Sequence, residues 1–145
     1  MSDATDLGLV DSLAQLSFLV HDTLSEFAAE HDLSIRLTRL LGVLRDRQPT
    51  MNELGRLLGL DKSSVSGLVD RAERRDLVRR TASQSDRRVV RVSITPTGRR
   101  LIRQVGGRFA EQIEMLTGHL TTAEQRTLSK VASRIIAAEA DRRGL

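Results

Sequence analysis

The sequence predicts a mainly α-helical fold with one small β-hairpin, which places it in the α+β class. Apolar residues recur every three or four positions along most of the 145-residue chain, a pattern typical of amphipathic helices. Between positions 77 and 95 this period changes to two, which indicates a pair of strands. Pro49, Gly59 and Pro96 stand where helices are predicted to stop or start.

Three helices are predicted in the first part of the chain, two before Pro49 and one directly after it. The first runs from Leu7 to about Glu30 and the second from Ser34 to Arg47, each with one apolar side. A short third helix, Met51 to Leu58, begins with the capping-box pair Thr50 and Glu53, whose hydroxyl and carboxylate bond each other's backbone N–H.

The fourth helix runs from Lys62 to about Arg75 behind a capping aspartate, Asp61. Its apolar positions are Val65, Leu68, Val69 and Ala72. Its opposite face carries Lys62, Ser63, Ser66, Gly67, Asp70, Arg71 and Arg74. Near the amino end this face is small and basic, so it can approach a grooved, negatively charged surface closely.

Two strands follow, Leu77 to Thr81 and Val89 to Thr95, joined by the polar segment Ala82–Arg88. The second strand alternates three apolar residues, predicted to be buried, with three polar ones, predicted to face water; the polar ones are Arg91, Ser93 and Thr95. A long helix then starts at Pro96 and runs to about Gly118, and the last helix begins at Thr121 or Thr122.

Composition narrows the class of protein. The absence of cysteine excludes disulfides, thiolate metal sites and cysteine redox switching. We expect a soluble intracellular protein, because no apolar run approaches the length of a membrane span and the acidic first residues are the opposite of a signal peptide. All seven charged residues of positions 1–33 are acidic, whereas twelve arginines stand against three acidic residues between Arg71 and Arg108. This concentration fits a polyanion-binding face. An arginine-rich solvated surface, or a GC-rich genome, would also produce it.

The helix pair Met51–Gly59 and Lys62–Arg75 fits a helix-turn-helix, whose second helix enters the major groove of DNA. The candidate DNA contacts on this pair are Asn52, Lys62, Ser63, Ser64, Ser66, Arg71 and Arg74. The serines can bond bases or phosphates, and Arg71 is a candidate for a bidentate contact to guanine.

The hairpin turn adds Asp86, Arg87 and Arg88 to the candidate DNA contacts. Two adjacent guanidiniums repel each other and do not favour a turn, whereas a narrow, negative minor groove rewards an inserted arginine. We expect Asp86 to orient Arg88. Arg87 also fits a simple role in keeping the turn soluble.

These motifs resemble the winged helix-turn-helix of the MarR family of bacterial transcriptional regulators. The matching segments are LGLDKSSVSGLVDRAERRDLVRR and the wing signature DRRVVRVSITPTG, within residues 50–98. Asp76 departs from the pattern, because many relatives have glycine there. The flanking helices agree in number, order and length, so the resemblance extends over nearly the whole chain.

The resemblance implies a homodimer that binds a pseudo-palindromic operator, usually as a repressor of its own and neighbouring genes, in the bacterial cytoplasm. It divides the chain into an N-terminal dimerisation helix (1–33), a winged helix-turn-helix (34–98) and C-terminal dimerisation helices (99–145). The dimer also has independent support. The chain has apolar stripes that a winged helix of about seventy residues cannot cover. These stripes contain Leu9, Leu13, Leu16, Leu128, Val131 and Ile135.

The resemblance also implies a small-molecule effector, since relatives often bind phenolic or other aromatic acids between the dimer helices and the winged domain. Candidate lining residues are Phe18, His21, Leu41 and Arg45, each of which also fits ordinary packing. With no Trp, no Tyr and three Phe, an aromatic-lined pocket is hard to build. The three histidines are not closely paired, so we predict no metal site, and we predict no cofactor.

Two other classes of function fit the sequence less well. A winged helix used only for protein interaction would leave the basic stretch and the small-residue helix face unexplained. An enzyme is not expected, because the sequence contains no nucleophile–base pattern, phosphate loop, paired catalytic carboxylates or metal cluster.

Overall fold

The computed structural model describes residues 4–145, and within them the chain forms six helices and one two-stranded hairpin. The helices are α1 (Gly8–Ala29), α2 (Ile35–Leu44), α3 (Met51–Leu58), α4 (Lys62–Arg74), α5 (Pro96–Thr117) and α6 (Thr122–Arg143). The strands β1 (Val78–Ala82) and β2 (Val90–Ile94) pair antiparallel, with Val78 opposite Ile94. The predicted mainly helical fold with one small hairpin is confirmed. None of the helices in residues 4–145 is long and apolar enough to cross a membrane.

Helix α2 ends at Leu44, three residues earlier than the sequence pattern predicts. The residues after it are held by other elements. Arg99 donates to the carbonyl of Arg45 (3.1 Å), Arg91 donates to that of Gln48 (3.0 Å), and the proline that follows disfavours helix in the residue before it. The segment is therefore drawn toward β2 and α5 instead of extending the helix.

Side-chain caps fix where the helices begin. Thr50 and Glu53 form the predicted capping box at the start of α3. The last helix begins with a second box, between Thr121 and Glu124, which decides between the two threonines that the sequence left open. Gly59, with φ of +66°, ends α3 in the left-handed conformation that glycine adopts without strain.

The buried core lies in the winged-helix part of the chain. Helix α2 contributes Leu40 and Leu41, α3 contributes Leu54, and α4 contributes Leu68 and Val69, all of them almost completely buried. Burying one such side chain stabilises the fold by about 1.5–3 kcal/mol. By contrast, α6 buries none of its 22 residues, so the core positions the helix-turn-helix and the hairpin rather than the last helix.

Four residues connect α4, the hairpin and α5, and we call them the junction: Asp76, Leu77, Thr95 and Gly98. The Thr95 hydroxyl donates to the carbonyl of Asp76 (2.5 Å) and accepts from the backbone N–H of Gly98 (3.0 Å). The Thr95 N–H donates to the carbonyl of Leu77 (3.0 Å). Thr95 is consequently buried, and the prediction that it faces water was wrong because these hydrogen bonds satisfy its polar atoms.

Asp76 lies two residues after the last residue of α4. Its φ is +57°, in the left-handed region that side chains rarely adopt. Asp is one of the residues that tolerates this region best, so the helix still ends there.

We predict that Gly98→Ala destabilises the fold by about 3 kcal/mol. A Cβ at this position would lie 2.1 Å from the carbonyl oxygen of Leu77, and neither backbone can move without breaking the junction. The matched control is Gly107→Ala in the same helix, where a Cβ meets nothing within 4 Å. That change should stabilise by about 0.5–1 kcal/mol. Chemical denaturation measures both, and equal stabilities of the two variants would contradict the packing at the junction.

Candidate nucleic-acid interface

The amino end of α4 is built on Asp61. One carboxylate oxygen of Asp61 accepts the backbone N–H of Ser64 (2.8 Å) and the hydroxyl of Ser63 (3.0 Å). These hydrogen bonds lower the pKa of Asp61 below its usual value, and the bond from the Ser64 backbone has the largest effect. The cap therefore fixes the first turn while leaving Lys62 and Ser63 exposed.

A shallow groove of about 440 Å³ separates α3 from α4 on the exposed side of the helix-turn-helix. Its rim contains Asn52 and Arg56 from α3 and Lys62 and Ser66 from α4. Three of the predicted DNA contacts, Asn52, Lys62 and Ser66, therefore share one surface. The predicted contact Ser64 is half-buried and does not line this groove.

The second half of α4 presents Arg71 and Arg74, both exposed and one helical turn apart. The Arg71 guanidinium passes over Gly67, because a Cβ built at Gly67 would lie 3.5 Å from Arg71 Nη1, an ordinary van der Waals contact. The Arg71 side chain thus lies along the helix surface toward its amino end. This half of the helix extends the basic face that begins at Lys62.

The turn of the hairpin is organised around Asp86. Its carboxylate accepts the backbone N–H of Arg88 (3.0 Å), the Arg88 Nε–H (3.2 Å) and an Arg88 Nη2–H (3.4 Å). The hydrogen bond from the Arg88 backbone N–H, which has the larger effect, and those from the Arg88 side chain lower the pKa of Asp86. The Arg88 side chain is nevertheless 92% exposed, and Arg87 beside it is exposed as well. The turn therefore presents an oriented guanidinium to solvent.

Several arginines of the basic stretch bind other parts of the chain rather than facing solvent freely. Arg75 donates to the carbonyls of His31 (3.0 Å) and Asp32 (2.7 Å). Arg91 and Arg99 hold the segment after α2, as described above. Arg108 pairs with Glu30 (3.3 Å) and lies 4.8 Å from the centre of the Phe27 ring. The concentration of arginine in the sequence therefore overstates the positive charge available to a partner.

Arg80 is a contact that the sequence reasoning missed. It lies on β1, and its guanidinium pairs with Asp70 (2.7 Å) and with Glu73, both on α4. Partial burial opposes ionisation of Arg80, but the hydrogen bonds to the two carboxylates outweigh it and raise the pKa of this arginine. The only features of the sequence that indicate these ion pairs are the alternation of the strand and the two acidic residues on the preceding helix.

A second cleft, of about 610 Å³, lies between α1, α2 and α5. His21 and Arg45, two of the four predicted ligand contacts, line it together with Arg39, Ile102 and Phe109. Leu41 is not among its lining residues because its side chain is completely buried in the core.

Phe18, the fourth predicted ligand contact, is 68% exposed on α1 and also does not line the cleft. Across residues 4–145 no group of three or more His, Asp or Glu side chains is arranged to hold a metal ion.

Comparison with known proteins points to one family. A family model described as "MarR family" matches residues 31–89. The uncharacterized HTH-type transcriptional regulator YsmB of Bacillus subtilis (strain 168) is 39% identical over 56 residues, which is 39% of this chain and 38% of YsmB. The matched part thus spans well under half the length of that relative.

Solved structures extend the likeness of fold to most of the chain. Wild-type MarR from E. coli in its apo form is similar with a TM-score of 0.74 and 22% identity, over 90% of this chain and 98% of that one. A mutant of MepR from S. aureus, bound to an oligodeoxyribonucleotide, is similar with a TM-score of 0.64 and 18% identity, over 92% of this chain and 99% of that one.

We predict that the Asp61 cap makes stability depend on pH. The pKa of Asp61 is depressed in the folded chain, so its contribution is present above the unfolded pKa of about 3.9 and is lost as pH falls through the lower folded value. Asp61→Asn keeps a cap without the charge. The melting temperature of the native protein should therefore exceed that of Asp61→Asn at neutral pH, and the difference should vanish in acid. Calorimetry of both proteins tests this, and a difference independent of pH would contradict it.

Proposed function

We propose that this chain, whose residues 31–89 match the MarR family model and whose fold is a winged helix-turn-helix, regulates transcription as a homodimer bound to a pseudo-palindromic operator. The observation that carries the proposal is the hairpin turn. Arg88 is almost fully exposed, yet Asp86 holds its guanidinium by two side-chain hydrogen bonds. An arginine oriented in advance loses less conformational entropy when it enters a narrow, negative minor groove.

Helix α4 is the element proposed to enter the major groove. Its amino end presents Lys62, Ser63 and Ser66, which can bond base edges or phosphates. Arg71, farther along the same face, has the reach and the planar fork for a bidentate contact to guanine. Ser64 and Arg74, with Asn52 on α3 and Arg87 on the turn, complete the proposed contact set. The MepR mutant from S. aureus, which has a similar fold and is bound to an oligodeoxyribonucleotide, supports this assignment.

The homodimer is proposed from the surfaces that the single chain leaves uncovered. Leu128, Val131 and Ile135 form a stripe along α6, and each is about half exposed. Leu9 and Leu13 on α1 are likewise exposed. Contiguous apolar surface of this kind marks an interface, and a two-fold copy would cover both stripes at once. Sedimentation of a single 16.1 kDa species at micromolar concentration would contradict the dimer.

The regulatory part of the proposal is repression relieved by a small molecule. A dimer seated on an operator excludes other proteins from that DNA, which supports repression of its own and neighbouring genes. The cleft between α1, α2 and α5 is lined by apolar side chains and by Arg39, Arg45, Arg47 and Asp46, and this net positive lining suits a small acid. Titration calorimetry with small aromatic carboxylic acids tests the effector, and the absence of binding at millimolar concentration would contradict it.

We predict that Arg88→Ala weakens operator binding by about 1 kcal/mol or more, because the oriented minor-groove contact is lost. Arg71→Ala should cost about 1–3 kcal/mol and relax the preference for one base pair. Arg142→Ala is the charge-matched control, because Arg142 pairs with Glu139 at the far end of α6.

Gel-shift titrations on a footprinted operator measure all three variants. Normal footprints from both Arg88→Ala and Arg71→Ala would contradict the proposed docking. A folded dimer that shifts no genomic fragment even at low salt would favour the alternative of a protein-interaction module.

A further inference from the structure

The ion-pair cluster at the base of the hairpin links the two elements proposed to bind DNA. Arg80, on β1, reaches back to α4 and donates to Asp70 (2.7 Å) and Glu73. It also donates to the backbone carbonyl of Ser66 (3.4 Å), and its own N–H points to Glu73 (3.4 Å). The Arg80 and Glu73 side chains are largely shielded from solvent, at 27% and 34% exposed. We call Asp70, Glu73 and Arg80 the clamp.

The spacing of the clamp partners along α4 determines what the clamp restrains. Ser66, Asp70 and Glu73 stand at i, i+4 and i+7, so they lie in one row along a single helix face. One guanidinium bonds all three positions, across two helical turns. Rotation of α4 about its own axis would carry this row away from β1 and break these bonds together. The clamp therefore restrains the rotation of α4 with respect to the hairpin.

The position of the clamp relates that restraint to DNA. The exposed face of α4 begins beside Ser66, with Lys62 and Ser63, and continues through Arg71. Arg80 lies two residues before the end of β1, from which the chain runs directly into the turn that carries Asp86 and Arg88. A major-groove helix and a minor-groove turn can engage one half-site only if their mutual orientation matches the duplex.

We propose that Arg80 is a positioning residue for DNA recognition, which sets the rotation of α4 relative to the hairpin and makes no phosphate contact of its own. The inference rests on the proposed DNA-binding function. The Nη1 group of Arg80 is directed at Asp70 and Glu73 and its Nη2 group at the carbonyl of Ser66, so the guanidinium is held against α4.

The charges in the clamp provide a way to separate positioning from simple electrostatics. Two carboxylates and one guanidinium give the clamp a net charge of one negative. Arg80→Met alone would expose two carboxylates to DNA and repel it. The triple variant Arg80→Met, Asp70→Asn, Glu73→Gln removes every charge and leaves the clamp neutral. Electrostatics alone then predicts equal or tighter DNA binding, whereas positioning predicts weaker binding to the operator.

The experiment measures the affinity of the full-length protein for its footprinted operator and for a scrambled duplex of equal length, over a series of salt concentrations. Native protein, Arg80→Met and the triple variant are compared well below their melting temperatures. For the triple variant we expect a loss of about tenfold in operator affinity, the scale of losing one base contact. We expect no loss on the scrambled duplex. A purely structural role for Arg80 would not change this ratio in the folded protein.

The salt series separates positioning from phosphate contact. Each phosphate contact contributes about 0.9 to the slope of log affinity against log salt. The triple variant, in which no unpaired carboxylate repels DNA, should leave the slope on the scrambled duplex unchanged, and a decrease of about 0.9 would overturn the proposal by making Arg80 a phosphate ligand. Operator affinity of the triple variant equal to or above that of the native protein would also overturn it.

Two further measurements keep the test decisive. If the triple variant does not fold, Glu73→Gln and Arg80→Lys each remove only part of the clamp, and each should lower the operator-to-scrambled ratio by less than the full loss. An unchanged ratio in both would overturn the proposal. Native protein that does not distinguish operator from scrambled DNA would overturn the proposed function itself, which separates that failure from failure of the clamp.

Discussion

The junction of Asp76, Leu77, Thr95 and Gly98 is the constraint on which the rest of the structure depends. At this point α4 ends, β1 begins, β2 ends and α5 begins, so four elements meet within one set of hydrogen bonds made by the backbone and hydroxyl of Thr95. The close approach of Gly98 to the Leu77 carbonyl leaves no space for a side chain. Because the junction fixes where α4 and the hairpin leave the core, it also fixes the relative position of these two elements, which are proposed to bind DNA.

The arginines of the chain fall into two physical groups. One group, including Arg75, Arg91 and Arg99, donates to backbone carbonyls and holds loops against the core. The other group, including Arg71 and Arg88, is exposed on α4 and on the hairpin turn. Arg80 connects the two groups because it is internally bonded but restrains the elements that carry the exposed ones. If the proposed function holds, binding strength and binding geometry depend on different arginines.

Much of the fold could be predicted from the sequence because its signals are local. The capping box of Thr50 and Glu53, Gly59 and the change of period after Asp76 each depend on residues a few positions apart. The missed features depend on long-range contacts. The early end of α2, the burial of Thr95 and the Arg80 clamp arise from contacts between residues 7 to 54 positions apart. The hydrophobic period of the sequence does not reveal such contacts. Among the ligand candidates, Leu41 was chosen by its place in the chain, and only packing reveals that it is fully buried.

Footprinting of the purified protein on the DNA upstream of its own and neighbouring genes tests the central claim most directly. If α4 and the Asp86–Arg88 turn read DNA as part of a two-fold dimer, hydroxyl-radical cleavage should reveal one protected site with two symmetric halves. Their centres should lie about 10 base pairs, one helical turn, apart. Protection of a single unpaired half-site would contradict the dimeric reader. Absence of any protection at low salt, from protein that is folded, would contradict the assignment of this surface to DNA.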